Sequence, residues 1–507
     1  MAGELKVLQI GSENWSKYQE IPENMDWYFF WSASTTAIRK VMKMDQIWAF
    51  DIVLVDRRDI LEDLEVIRKK IDPYTIFYDQ DLQFTGKKTK FLEEMCAFPT
   101  DFSDREALLN LLSKAVFRGQ YGDKLFPEGI TVHPSFKGKA HYFGNEGVEL
   151  SGDFGADFRP VADWNFNIMA YKGRPIELWL EYEKDDNCDI QLVIRQVPEG
   201  SVADIVQTRV VSEEELQEPV IVEVPENRMI VATLEIKGQG WVKIGNLHQR
   251  FSRFQFGQFL LGGGMLSDAK RQEITYYFHP GDLKPPLTVY FSGFRPAEGF
   301  EGFFMMKNLG TPFLLFSDPR LLGGAFYMGS DELEDKVRGV IQQSLDRLGF
   351  TSDQLILSGM SMGTYPSMYY GADFEPAGIV MAKTLANVGT IAKRNRLLAP
   401  TVFDTGVDVL HLQTGGLEDQ HVQELNQKFW TKFNQADFSK TTFGIAYMKD
   451  EDMDPTAFED IVQALYHSGA KILRKGTAGR HNDDTDTSVI WFLNFYHMIL
   501  ESKFGRK

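Results

Sequence analysis

The stretch Leu355-Ile-Leu-Ser-Gly-Met-Ser-Met-Gly-Thr364 limits the possible folds of this chain more than any other. An apolar run of strand type, Leu355 to Leu357, leads into Gly359-Met-Ser361-Met-Gly363, and Pro366 to Tyr370 reads as the first turns of a helix. A G-x-S-x-G pentapeptide between a strand and a helix is a nucleophile elbow. The sharp, strained turn holds the serine hydroxyl clear of the sheet, and the glycines remove side chains that would collide where strand and helix cross. The pentapeptide alone is common. Its meaning depends on an acid and then a histidine following downstream.

A chain of 507 residues exceeds what one hydrophobic core organises, so two or three domains are expected. With 43% hydrophobic residues, extensive disorder is excluded. Lys and Arg number 54 against 72 Asp and Glu, a formal charge of −18, so no nucleic-acid partner is expected from bulk electrostatics. Met1 to Val7 has neither a basic nor an apolar signal region, and Val489 to Leu500 is interrupted by Asn494 and His497 and too short to span a bilayer. Cys96 and Cys188 lie far apart without a metal-ligand pattern and read as reduced, buried thiols. The expected location is the cytoplasm, with peripheral attachment at the inner face of the plasma membrane as a variant.

Three domains are expected. Residues 1–125 alternate strand-like runs (Lys6–Ile10, Asp51–Asp56, Tyr74–Tyr78) with helix-like segments such as Ala107–Phe117, which implies βαβ units and a small, flavodoxin-like α/β domain. Asp51 and Asp56 read as acids flanking a buried strand rather than a Mg²⁺ pocket, and Gly11-Ser12 lacks a dinucleotide fingerprint. Residues 126–262 carry short alternating runs, among them Pro175–Tyr182, Cys188–Ile194, Met229–Ile236 and Trp241–Gly245, separated by turn residues: an antiparallel β-sandwich. Trp164, Phe166, Trp179 and Trp241 would fill its core or, in a carbohydrate-binding-like domain, face a sugar; core filling is the preferred reading. The glycine run in Phe259–Met265 reads as a flexible junction. Residues 263–507 then form an α/β-hydrolase domain. Its eight strand candidates are Glu273–Phe278, Leu287–Phe291, Pro312–Phe316, Gln354–Leu357, Gly378–Met381, Val409–Leu412, Phe443–Tyr447 and Lys471–Arg474.

An α/β-hydrolase triad runs Ser, acid, His, with the acid after a late strand and the histidine after the last. Met448-Lys-Asp-Glu-Asp-Met-Asp454 fills the first place and His481, ahead of the final helix, the second. Asp450, Glu451, Asp452 and Asp454 compete for the acid, with Asp404 and Asp408 as distant seconds. The oxyanion hole requires the N–H of Met362, after the nucleophile, and a second from the loop after an early strand. Phe291-Ser-Gly-Phe-Arg295 offers Gly293 or Phe294 for that second donor. Arg295 could pair with an anionic group of a donor or substrate; a surface role competes equally. No metal site is expected.

With the elbow, the Phe291–Arg295 loop and Arg480-His-Asn-Asp483 placed, the chain resembles, over nearly its whole length, the second of the three accessory secretory protein (Asp) families of the Gram-positive accessory Sec system. The resemblance implies a Ser-Glu-His triad at Ser361, Glu451 and His481, with Asp450 as the alternative acid. It further implies O-acetylation of N-acetylglucosamine on a serine-rich-repeat glycoprotein adhesin before export. Acetyl-CoA is a candidate donor, used as a cosubstrate with no bound cofactor. Export would proceed beside the two sister Asp proteins and the accessory motor ATPase. A serine esterase or deacetylase acting on glycans, and a non-catalytic scaffold of the export complex, are the alternatives.

Overall fold

The computed structural model describes residues 4–31, 35–58, 68–398, 403 and 405–506. The chain is mixed α/β, with parallel and antiparallel sheets, and divides into two compact units. The first comprises Met1–Gln120, Lys172–Pro175 and Phe251–Gly263; the second holds the remainder.

In the first unit five parallel strands lie in the order Met25–Phe30, Leu5–Ile10, Ile52–Val55, Ile76–Asp79, Phe98–Thr100. This 2-1-3-4-5 order is that of flavodoxin-like doubly wound sheets. Side chains of a strand alternate between faces. Accordingly Val53 and Val55 join the core under the helices Thr35–Met44 and Lys87–Glu94, whereas Ile52 and Leu54 join the opposite core with Leu108, Leu109 and Leu112 of the helix Arg105–Ala115. Asp104 caps that last helix, accepting the Ala107 N–H at 3.0 Å. Asp51 and Asp56 are engaged by their own chain: Asp51 accepts the Lys6 N–H at 2.8 Å and Asp56 the Ser12 N–H at 2.9 Å.

The glycine run expected as a flexible junction is packed instead. Phe259 is buried, and a Cβ on Gly262 would lie 2.2 Å from the Tyr74 ring, a close approach that glycine alone permits.

The second unit opens with ten strands joined in one antiparallel network. Two strands are long, Val148–Trp164 and Arg228–Phe251. The sequence runs Met229–Ile236 and Trp241–Gly245, expected as separate strands, are parts of this second strand. The glycines between them bulge it without ending it, with register shifts around Gly238. Trp164 and Trp179 are buried, while Phe166 and Trp241 reach solvent.

The C-terminal sheet has eight strands in the order Gly263–Ser267, Glu273–His279, Phe313–Ser317, Leu287–Phe291, Leu355–Met360, Gly378–Ala382, Thr442–Met448, Lys471–Thr477. Numbered along the chain, this is 1-2-4-3-5-6-7-8. Glu273–His279 runs antiparallel to Phe313–Ser317, and the pairings from Phe313–Ser317 onward are parallel. The strands Leu287–Phe291, Phe313–Ser317 and Gly378–Ala382 are buried throughout, as a parallel sheet covered on both faces requires. One expected strand is corrected: Val409–Leu412 lies in the helix Thr405–Thr414. A four-residue apolar run cannot separate a buried strand from a buried turn of helix. The strand that completes the sheet in its stead is Gly263–Ser267, where a Cβ on Gly264 would sit 2.4 Å from the Tyr276 ring. Among the described residues no helix is long and apolar enough to cross a membrane. Cys96 and Cys188 are buried.

Phe256 stacks edge-on against Phe77 at 5.2 Å and meets Phe98 at 5.3 Å. A Phe256→Ala variant is expected to lose roughly 3–5 kcal/mol of stability, read as a lower urea midpoint for the first unit. An unchanged midpoint would show that Phe251–Gly263 does not belong to its core.

Candidate active site

Ser361 follows the fifth strand of the C-terminal sheet and has φ of +51°, left-handed backbone that non-glycine residues rarely adopt. The turn is held by close packing. A Cβ on Gly359 would lie 2.2 Å from the Gly363 carbonyl oxygen, and one on Gly363 would lie 2.1 Å from the Phe291 carbonyl oxygen. Both glycines of the pentapeptide are therefore required by contact. Thr364 Oγ1 donates to the Ser361 carbonyl at 2.7 Å and accepts the Leu385 N–H at 2.9 Å, locking the elbow to the neighbouring loop.

His481 is buried at 3% exposure, in the loop between the last strand and the helix Thr485–Phe504. Its Nε2 lies 2.8 Å from Ser361 Oγ. Its Nδ1 lies 3.0 Å from both carboxylate oxygens of Glu451. An ionised carboxylate only accepts hydrogen bonds, so Nδ1 carries the proton and, in the neutral imidazole, Nε2 is left to accept from the serine hydroxyl. This is the tautomer a general base needs.

The four acids of the run divide the work of building the loop. Asp450 accepts the Gly479 N–H at 2.9 Å and Asp452 accepts the His481 N–H at 3.0 Å. Asp454, buried, accepts the N–H groups of Ala386 at 2.8 Å and Asn387 at 2.7 Å; burial raises its carboxyl above the ordinary range, and those hydrogen bonds oppose the shift. Among the described residues, Glu451 is the acid that meets the imidazole. Asp408 is elsewhere, accepting from Asn145 Nδ2 at 2.8 Å, and Asp404 lies outside the described residues.

Met362 is buried in the first turn after the serine, where helix geometry leaves N–H groups without intrahelical acceptors. Gly293 lies beside the elbow: a Cβ there would be 3.3 Å from the Met360 carbonyl oxygen. Its N–H donates to the Glu301 carboxylate at 3.0 Å, which also receives the Tyr290 hydroxyl at 3.3 Å. For Gly293 to serve an oxyanion, Glu301 has to release it. The Phe294 ring packs edge-on against Phe403 at 5.3 Å, and exposed Arg295 donates its backbone N–H to the Gly323 carbonyl at 3.1 Å.

Several supporting residues carry no local sequence signal. Lys383 has φ of +56°, and its Nζ donates to the Asp483 carbonyl at 3.1 Å and to Thr485 Oγ1 at 3.0 Å, tying the sixth strand to the histidine loop. Burial depresses its pKa, with the Glu451 charge opposing. The loop after Ser317 contains three non-glycine residues with positive φ, Leu321, Phe326 and Tyr327. Asp318 holds it, accepting the N–H groups of Ala325 and Tyr327 at 2.9 Å each. Away from the elbow, His248, Glu273 and Glu298 converge in the pattern of a metal site. Arg250 already occupies the cation position, with Nε 2.6 Å from Glu298 and Nη1 2.9 Å from Glu273.

The family profile described as "Accessory Sec system GspB-transporter", which represents the second of the accessory secretory (Asp) proteins, matches residues 5–506. The chain belongs to this family. It is 52% identical over its full length to the full-length family member of the accessory Sec system of Streptococcus gordonii. It is 39% identical, again over its full length and 98% of the relative, to the member from Staphylococcus aureus strain NCTC 8325 / PS 47. Among solved structures, a chain of the Glycosylation Associate Protein (Gap123) complex from Streptococcus agalactiae superposes with a TM-score of 0.95 at 40% identity, covering 100% of both chains.

Two substitutions separate the acids. Glu451→Gln is expected to lower kcat for an activated acetyl ester by roughly 10³- to 10⁴-fold, because the imidazole loses its orienting charge. Asp450→Asn, which alters the acceptor of the Gly479 amide, should stay within about tenfold; the reverse ranking would move the acid to Asp450. Glu301→Ala, freeing the Gly293 N–H, is expected to raise kcat in the same ester assay, and a fall would show that Glu301 supports the loop instead.

Proposed function

We propose that this chain is a serine-dependent O-acetyltransferase with an α/β-hydrolase catalytic domain, modifying N-acetylglucosamine on a serine-rich-repeat glycoprotein adhesin in the cytoplasm. The observation that carries the reading is the continuous path from Ser361 Oγ to His481 Nε2 at 2.8 Å and from Nδ1 to Glu451 at 3.0 Å. Family membership supports the adhesin-export context.

The residues act in two half-reactions. Ser361 Oγ attacks the acetyl carbonyl of the donor, acetyl-CoA in this proposal, as its proton passes to His481 Nε2. Glu451 stabilises the imidazolium, and the N–H groups of Met362 and of the Gly293–Phe294 loop receive the oxyanion. Collapse expels the thiol, protonated by His481, and leaves acetyl-Ser361. A sugar hydroxyl then attacks, losing its proton to His481, and the second tetrahedral intermediate collapses to the O-acetyl sugar as His481 returns that proton to the departing Ser361 Oγ. Arg295, exposed at the end of the Phe291–Arg295 loop, is proposed to meet an anionic group of the donor. The three domains proposed are 1–125, 126–262 and 263–507, of which the last carries the chemistry.

The same chain is proposed to act in export beside its two sister accessory proteins and the accessory motor ATPase. The likeness to a chain of the Gap123 complex from Streptococcus agalactiae supports assembly with the sisters.

Purified protein incubated with labelled acetyl-CoA and a glycosylated repeat acceptor is expected to label the acceptor, and Ser361→Ala to reduce labelling by at least roughly 10³-fold. Acetate released without acceptor, as the only product, would replace the transferase by an esterase. In cells Ser361→Ala should lose glycan acetylation and retain adhesin export. Intact acetylation would make the triad incidental, and loss of both in a folded variant would show that the two roles share this site.

A further inference from the structure

Six charged side chains meet in the interior beside the oxyanion loop, on three parts of the second unit. Lys124, Glu181, His248 and Arg250 come from the antiparallel sheet, Glu273 from the second strand of the C-terminal sheet, and Glu298 from the loop five residues after Gly293. His248, Arg250, Glu273, Glu298 and Lys124 are buried, and the Glu181 side chain is 12% exposed. His248 bridges Glu298 through Nδ1 and Glu181 through Nε2, the latter at 3.0 Å, while Arg250 bridges Glu298 and Glu273. Burial disfavours the charge on His248, but attraction to Glu298 and Glu273 outweighs it and lifts its pKa to about 9. Three carboxylates thus face His248 and Arg250, with Lys124 alongside, its pKa lowered by burial.

Buried charge networks contribute little net stability compared with apolar replacements; what they can specify is geometry. The geometry here belongs to the oxyanion site. The Glu298 N–H donates to the Gly122 carbonyl at 3.0 Å, so both its backbone and its carboxylate are fixed by the antiparallel sheet. The sheet also holds the strained loop beneath: Lys124 Nζ donates to the Pro319 carbonyl, and Asn246 Nδ2 to the Leu321 carbonyl at 3.4 Å. That loop touches both oxyanion donors' neighbourhoods. A Cβ on Gly323 would lie 2.6 Å from the Phe294 ring, and one on Gly324 would lie 2.7 Å from Met362 Sδ.

We infer that Lys124, His248, Arg250 and Glu298 are positioning residues, through which the antiparallel sheet sets the oxyanion donors around Ser361. The inference rests on the serine acyl-transfer reading and extends the working site into a sheet that carries none of the triad. It also gives the ten-stranded sheet a role independent of any sugar it contacts.

The test uses the full chain and an activated acetyl ester, assayed well below each variant's melting temperature. Glu298→Gln keeps the side-chain shape and is expected to lower kcat by roughly 10- to 100-fold with KM changed by less than about twofold, the signature of misplaced groups acting in the transition state. Lys124→Met, which releases the Pro319 carbonyl from the other side, is expected to do the same and stands in should Glu298→Gln not fold. Unchanged kcat in either folded variant, or a loss matched by the unfolded fraction, would overturn the inference. Ser361→Ala in the same assay separates the premises: full turnover there removes the acyl-transfer reading itself, whatever the other variants do.

Discussion

The architecture of the site depends on one close crossing, where the strand Leu355–Met360 gives way to the turn carrying Ser361. Gly359 and Gly363 approach so nearly that a single methyl group on either would overlap backbone. That contact forces Ser361 into left-handed backbone and lifts its hydroxyl out of the sheet. Strain of this kind, of order 1–3 kcal/mol per residue, persists only where the surroundings over-determine it. Here they include Thr364 and the buried strands on either side of the elbow.

From the elbow outward, each member of the Ser361–His481–Glu451 arrangement is set by a different strand end. The seventh strand delivers the acidic loop and the eighth the histidine loop, and the two are stapled by Asp450 to Gly479 and Asp452 to His481. Acidic residues that could compete for the imidazole instead bind backbone N–H groups. Their charge is used to fix loops, which leaves Glu451 to face Nδ1. The third strand supplies the Phe291–Arg295 loop, and the chain that follows is anchored by Glu298 in the buried ionic cluster.

Much of this was legible in the sequence where chemistry imposes short-range spacing. G-x-S-x-G between an apolar run and a helix identifies its own geometry, and the helix Asp331–Leu348 carries its bounds in its own residues, with Ser330 at its N-cap and Gly349 in left-handed backbone at its end. Other features depend on partners distant in sequence. Val409–Leu412 has the composition of a strand and is buried as a helix. Phe259–Met265 reads as a flexible junction because Tyr276, which packs against Gly264, is a neighbour invisible locally. The acid could not be chosen by spacing among four clustered carboxylates, since each meets a different group far along the chain. Glu301 on the Gly293 amide and the six-charge cluster were missed for the same reason: residues such as Lys124 and Glu298 become neighbours only in the fold.

Acyl transfer at this site requires Ser361 itself to carry the acyl group. Rapid quenching of the enzyme with an acetyl donor and no acceptor, followed by peptide mass spectrometry, tests this most directly. One acetyl group is expected on the peptide containing Ser361, discharged when a glycosylated acceptor is added and absent in His481→Ala. Transfer to acceptor under conditions in which Ser361 is never acetylated would contradict the mechanism.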